Sequence, residues 1–108
     1  MSAIAALDQA LTLSLAAHAA AQAGDPARVS ELLEERTPLL HLAPLVAEER
    51  EHARAILAQI QQLDEATRQV LEAQRVALLE ERAALRRAVR LQRAYLRLAP
   101  AGQLDRLG

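Results

Sequence analysis

The stretch from Leu45 to Leu98 contains neither glycine nor proline, the two residues that most often interrupt a helix. Ala, Leu, Arg, Glu and Gln make up most of it, and all of these are strong helix formers. A single helix over these residues would be about 80 Å long, at roughly 1.5 Å per residue. A compact domain of 108 residues cannot enclose such a rod, so we expect part of its surface to stay available for another helix.

An advance of about 100° per residue separates an apolar side of this predicted helix from a basic one. The apolar side has an alanine-rich edge, which permits close helix approach, and a neighbouring edge of larger side chains. The larger side chains are Ile60, Leu71, Leu78, Leu85, Val89 and Leu96. The arginines lie opposite Val70; they are Arg68, Arg75, Arg82, Arg86, Arg90, Arg93 and Arg97. An apolar arc this wide predicts contacts with neighbours on two sides.

Helix-capping and helix-breaking residues predict three helices, over about 3–23, 26–42 and 45–98, followed by a short tail at 99–108. Ser2 and Asp25 are N-cap residues, Gly24 is a helix stop and Pro26 suits a first helical position. The sequence therefore predicts an all-α fold in a single helical domain, residues 1–98. We expect an antiparallel three-helix bundle, or a four-helix bundle, with one long, coiled-coil-like C-terminal helix.

Two details of these helices bear on the packing. The expected buried stripe of the first helix is Ile4, Leu7, Leu11, Leu15 and His18. In the second helix, Thr37-Pro38 predicts a kink, with a short new helix capped by Thr37 as the alternative.

Composition excludes several classes of function. The chain has no cysteine, which removes disulfides, thiolate catalysis and thiolate metal sites. The three histidines, His18, His41 and His52, form no zinc-binding pattern, and neither a nucleophile elbow nor a phosphate-binding glycine loop occurs. We therefore expect no enzyme, no metal and no cofactor. No signal peptide and no membrane span are expected either, and the cysteine-free composition favours the cytoplasm.

Charge is divided unevenly along the chain. Residues 1–66 carry four arginines and ten acidic residues, whereas residues 67–108 carry nine arginines and four acidic residues. One interpretation of the basic half is a solvated helix face with Glu–Arg pairs four residues apart. The other is docking onto an acidic partner. Nucleic acid is disfavoured, because the pI is near 6.3 and no aromatic platform accompanies the arginines.

The first two predicted helices are too short to cover the third, so a leucine-rich stripe is expected to stay exposed. Exposed apolar stripes usually mark interaction sites. The candidate residues are Leu71, Leu78, Leu85 and Val89, with Leu79, Arg82 and Arg86 at the rim. Two alternatives stay open, in which the first helix or a second copy of the chain covers this stripe.

Several short motifs along the three predicted helices are shared with one known family. They include the Gly24-Asp25 step and the run Leu32-Leu33-Glu34-Glu35-Arg36-Thr37-Pro38-Leu39-Leu40. The long helix adds Ile56, Ile60, Leu63-Asp64, Arg75 and Leu78-Leu79, and closes with Ala94-Tyr95 before Leu98. With these features, about residues 5 to 98 resemble the small helical flagellar export chaperones of bacteria, above all those that escort the filament-cap protein. A related chaperone escorts the hook–filament junction proteins.

The resemblance implies a cytoplasmic chaperone that binds the amphipathic C-terminal segment of an unassembled axial protein, the flagellar filament-cap protein. Related proteins also contact the export ATPase and its regulators, and some bind a flagellar transcription activator. The partner-binding residues would be Leu71, Leu78, Leu79, Arg82, Leu85, Arg86, Val89 and Tyr95. The alternative from another class is a structural coiled-coil adaptor or homodimeric stalk of a secretion apparatus, which has no client.

Overall fold

The computed structural model describes residues 2–41 and 46–98, and these residues form helices without any strand. Three are α-helices: α1 (Ala3–Gln22), α2 (Pro26–Arg36) and α3 (Arg50–Leu98). A first 3-10 helix spans Thr37–His41 and a second spans Ala47–Glu49. The predicted all-α fold with one long C-terminal helix is confirmed. The antiparallel bundle stays a prediction.

Short polar motifs set the ends of α1 and the start of α2. The Ser2 hydroxyl accepts a hydrogen bond from the Ala5 N–H at 3.1 Å, and the Asp25 carboxylate accepts one from the Arg28 N–H at 3.1 Å. Pro26 takes the first turn of α2, where its missing N–H costs nothing. Between them, Gly24 has a φ of 75°, a left-handed conformation that favours glycine. These predicted caps and stops are confirmed.

The chain after Arg36 does not show the predicted kink at Thr37-Pro38 and matches the alternative in part, since a short new helix begins there but Thr37 is not its cap. α2 ends at Arg36, and Thr37–His41 continue as a tighter 3-10 helix. Thr37 does not cap a new helix, since its backbone N–H and its hydroxyl both donate to the Leu33 carbonyl. Pro38 cannot donate a backbone hydrogen bond, and its ring crowds the preceding turn, which accounts for the change of helix type.

The third predicted helix begins later than the sequence suggested. Residues 42–45 lie outside the described residues, so the predicted first turn at Pro44 and Leu45 does too. Val46 is extended, Ala47–Glu49 form the second 3-10 helix, and α3 starts at Arg50. The tail, residues 99–108, also lies outside the described residues.

The chain divides into two compact units, Met1–Gln74 (unit 1) and Arg75–Gly108 (unit 2). Unit 1 has two buried apolar clusters. The first joins Leu7 and Ala10 of α1 to Ala53, Ile56 and Ile60 of α3. The second joins Ala17 and Ala21 of α1 to Val29 and Leu32 of α2, with Val70 and Leu71 packed against it.

The predicted stripe of α1 is confirmed in part: Leu7 is buried and Ile4 and Leu11 pack against the first cluster, but the most deeply buried residues lie on the neighbouring alanine row. The buried residues of α1 are Ala6, Leu7, Ala10, Ser14, Ala17 and Ala21, whereas Leu15 is 52% exposed. Small side chains let neighbouring backbones approach closely, so the alanine face packs inward and part of the leucine row turns outward. By length and composition, α1 is also the one described helix that could cross a membrane; in unit 1 its apolar residues line the two clusters.

Polar side chains cross between the helices of unit 1 at three levels. The Arg36 guanidinium donates to the Ser14 hydroxyl at 3.0 Å and to the Asp64 carboxylate at 2.5 Å. Thr67 Oγ1 lies 3.3 Å from His18 Nδ1. The Gln74 amide donates to the Ala21 carbonyl at 2.7 Å. Together these contacts fix the register of α1 against α3.

Candidate partner-binding surface

The part of unit 2 that the structure describes, residues 75–98, is the C-terminal segment of α3. Its sequence has no helix breaker, and its strong helix formers explain why it stays helical. Every residue of this segment except Ala83 is exposed. The exposed side chains include a row of large apolar residues, which is unusual for a soluble monomeric surface.

We call that row the apolar stripe: Leu78, Leu85, Val89 and Leu96. Their exposed fractions are 55%, 60%, 45% and 42%. Spacings of seven and four residues place all four on one face of a helix with 3.6 residues per turn. The same spacings link Ile60, Thr67 and Leu71, which are buried or half-buried in unit 1. The pattern thus continues beyond the residues that unit 1 buries.

The sequence-predicted site residues fall into three groups. Leu71 lies in unit 1, half-buried against the second apolar cluster. Leu78, Leu85 and Val89 lie on the apolar stripe, with the exposed Arg82 and Arg86 beside it. Leu79 and Tyr95 are also exposed, but each is offset by about 100° from its neighbour on the stripe.

A shallow open depression brings several of these residues together with two that the sequence analysis left out of the site. Leu85, Arg86, Val89, Arg90 and Arg93 line it. Arg90 and Arg93 follow Arg86 at intervals of four and three residues, and this spacing was the signal that could have identified them. The depression offers an apolar floor with guanidinium groups at one side.

The arginines beside the apolar stripe form what we call the basic row: Arg82, Arg86, Arg90, Arg93 and Arg97. Within residues 2–41 and 46–98, none of them has an acidic side chain within ion-pair distance. Their helical neighbours at three and four residues are apolar side chains, alanines or other arginines. The basic row is therefore not neutralised along its own helix.

Arginines of unit 1 behave differently. Arg28 pairs with Glu31 at 2.9 Å, and Arg68 pairs with Glu65 at 2.5 Å. The hydrogen bond from Arg68 lowers the pKa of the Glu65 carboxyl, and the same contact raises the pKa of Arg68. The solvated Glu–Arg pairs expected from the sequence thus occur at Glu65–Arg68, where the residues are three positions apart, and not along the basic row.

The described residues contain no group of three or more His, Cys, Asp or Glu side chains that could hold a metal ion. His41 and His52 are exposed, and His18 is engaged with Thr67. The described part of unit 2 exposes the apolar stripe with the basic row along one edge, a surface that suits the binding of another helix.

One of three comparisons with known proteins found a match. The family model described as "Flagellar protein FliT" matches residues 4–97 of the chain. No curated protein matches the chain significantly, and no solved structure does. The family match spans α1, α2 and nearly all of α3. The chain therefore belongs to the flagellar protein FliT family, a family of flagellar export chaperones.

Proposed function

We propose that the protein is a cytoplasmic type III flagellar export chaperone whose client is the filament-cap protein. Its apolar stripe binds the amphipathic C-terminal segment of that client and prevents premature assembly. The observation that carries this proposal is the exposure of Leu78, Leu85 and Val89 in a chain of a flagellar chaperone family.

The physical basis is the burial of two apolar stripes against each other. A client segment that is made for a subunit interface exposes its own apolar stripe before assembly, and so tends to aggregate. When that segment lies on the apolar stripe of α3, both apolar surfaces are removed from water. This burial stabilises the complex by about 25 cal/mol for each Å² of apolar surface buried. Contacts with the export ATPase or with a flagellar transcription regulator would use the same exposed surface and would compete with the client.

We further propose that the helices of unit 1 form an antiparallel bundle, which holds α3 by its N-terminal half. Along α1, the contacts of Leu7, His18 and Ala21 reach successively later residues of α3. Along α2, Val29 and Leu32 cluster with the end of α1, and Arg36 reaches Ser14 near its middle. These contacts support α2 running opposite to both α1 and α3.

The test is a double substitution on the apolar stripe, Leu78→Glu with Leu85→Glu. Fluorescence anisotropy would measure the affinity of the full chain for a labelled C-terminal segment of a filament-cap protein. We expect the affinity to fall at least ten-fold, because two charges would enter the buried interface. The matched control is Leu15→Glu with Leu57→Glu, which alters two exposed leucines of unit 1 and should leave binding unchanged. Equal binding by both variants would show that the client docks elsewhere.

The second candidate function is a structural coiled-coil adaptor or stalk, which the seven- and four-residue spacing of the exposed stripe favours. In that case the stripe would be buried between two copies of the chain. Sedimentation of the purified protein separates the two functions. A tight dimer that Leu78→Glu with Leu85→Glu converts to a monomer supports the stalk, and a monomer that binds the client supports the chaperone.

A further inference from the structure

We propose that the basic row selects a partner helix whose apolar stripe is bordered along one edge by acidic side chains. This inference rests on the proposed function, because it assigns the chemistry of the client that the apolar stripe binds. It adds a selection rule to that binding. Burial of apolar surface provides most of the contact area, and the arginines determine which amphipathic helices bind tightly and in which direction they lie.

The first observation is that the basic row lies along only one edge of the apolar stripe. Its members follow one another at intervals of three and four residues, so they stack on successive turns of α3. The opposite edge of the stripe carries Glu81, Ala88 and Gln92, and no arginine. A partner helix would therefore meet positive charge on one side only, which distinguishes its two possible directions.

The second observation is that no neighbouring carboxylate of the described residues neutralises the positive charges of the basic row. Arg82, Arg86 and Arg93 are each followed by an arginine four residues later, and like charges at this spacing destabilise an isolated helix. Within the described residues no carboxylate lies within ion-pair distance of the row. Carboxylates of a partner would remove this repulsion, and the planar guanidinium groups can bind them in a bidentate manner.

The third observation is that the charge and the apolar surface share one depression. Leu85 and Val89 lie in it beside Arg86, Arg90 and Arg93. A partner that buries its leucines there brings the side chains at its flank within reach of the guanidinium groups. Burial lowers the local dielectric, so a carboxylate at that flank would bind more tightly than a neutral amide.

The experiment uses two designed amphipathic peptides with one apolar stripe and four glutamates or four glutamines along one edge. Anisotropy with the full chain should show at least ten-fold tighter binding of the glutamate peptide at low salt. In the variant Arg86→Gln/Arg90→Gln/Arg93→Gln, the glutamate peptide should bind less than three-fold more tightly than the glutamine peptide. Equal affinity of the wild-type chain for both peptides would overturn the inference, and so would displacement of the glutamate peptide by a single-stranded oligonucleotide at equal concentration.

The matched control removes the same net charge from unit 1, in the variant Arg50→Gln/Arg54→Gln/Arg68→Gln. It should keep the wild-type preference, whereas a loss as large as that of the first variant would mean that only net charge matters. The filament-cap segment separates the two proposals. If it fails to bind while the glutamate preference holds, the client is misassigned and the selection rule stands. If it binds the arginine variant as tightly as the wild type, the selection rule fails and the chaperone stands.

Discussion

Arg36 is the residue on which the polar contacts of unit 1 depend most. Its guanidinium lies on α2 and contacts Ser14 of α1 and Asp64 of α3, and its side chain is only 14% exposed. Ser14 in turn donates its hydroxyl hydrogen to the Ala10 carbonyl at 2.9 Å. Loss of the guanidinium would leave the Asp64 carboxylate, which is 43% exposed, without its partner on α2, whereas the Ser14 hydroxyl would keep its hydrogen bond to Ala10.

We predict that Arg36→Met lowers the free energy of unfolding by about 1–3 kcal/mol, the usual range for a partly buried hydrogen bond that involves a charged group. The apolar stem is retained, so the change isolates the guanidinium. Urea denaturation would measure it. Arg28→Met is the control, since the Arg28–Glu31 pair is exposed and should contribute less than about 0.5 kcal/mol. A loss no larger than that of the control would show that the contacts of Arg36 carry no stability.

Gly24 joins α1 to α2 through its left-handed backbone. A Cβ at this position would meet no atom within 4 Å, so only backbone strain opposes a side chain. We predict that Gly24→Ala destabilises unit 1 by about 1 kcal/mol and that Gly24→Asn costs less, because asparagine tolerates this conformation. Thermal unfolding followed by circular dichroism would rank the two, and an alanine variant as stable as the wild type would contradict the argument.

At the scale of the helix, α1 depends on small side chains. Ala10 has no exposed surface, whereas Leu15 is half-exposed on the same helix. We predict that Ala10→Leu lowers the free energy of unfolding by about 1–3 kcal/mol through overpacking. Leu15→Ala should change it by less than about 1 kcal/mol, because half of the Leu15 surface stays in water in the folded chain. Urea titrations of both variants test this, and the reverse order would restore the leucine stripe as the packing face.

These elements show which features sequence reasoning could reach. Ser2, Gly24, Asp25 and Pro26 were predictable because capping is local chemistry that a few neighbouring residues decide. The buried face of α1 was predictable only in part: Leu7 of the predicted stripe is buried, but periodicity alone cannot tell that the alanine row beside it packs more deeply. Leu71 and Leu78 lie seven residues apart on one helical face, yet only Leu71 packs in unit 1. This difference depends on where the neighbouring helices end, and the spacing of residues along α3 does not predict the position of those ends.

Arg90 and Arg93 show the same limit at the candidate site. Their position on the basic side was evident from the sequence, but their place beside Leu85 and Val89 depends on how the long side chains lie on the helix surface. Of the two interpretations of the basic half, a solvated face with Glu–Arg pairs four residues apart holds for the basic row only in its exposure, because that spacing joins its arginines to apolar residues or to other arginines.

At the scale of the whole molecule, the two units differ in what stabilises their helices. In unit 1, α3 is held by buried residues such as Ile56 and Ile60 and by polar contacts to α1. In unit 2, the described residues 75–98 are almost all exposed. Most of the stability of a protein helix comes from packing of its apolar face, which these described residues lack, and the repulsion along the basic row weakens the helix further.

We therefore predict that backbone amides of residues 78–97 exchange with deuterium at least ten-fold faster than those of residues 56–71, measured by mass spectrometry on the full chain. Exchange follows local opening, and a helix with few buried contacts opens more readily. Adding a filament-cap C-terminal segment should slow exchange in residues 78–97, because its apolar stripe supplies the packing that this part of α3 lacks. The prediction would be wrong if these residues exchanged slowly without any client, at a concentration where the chain is monomeric. In that case the segment is stable alone, and client binding adds contacts without ordering it.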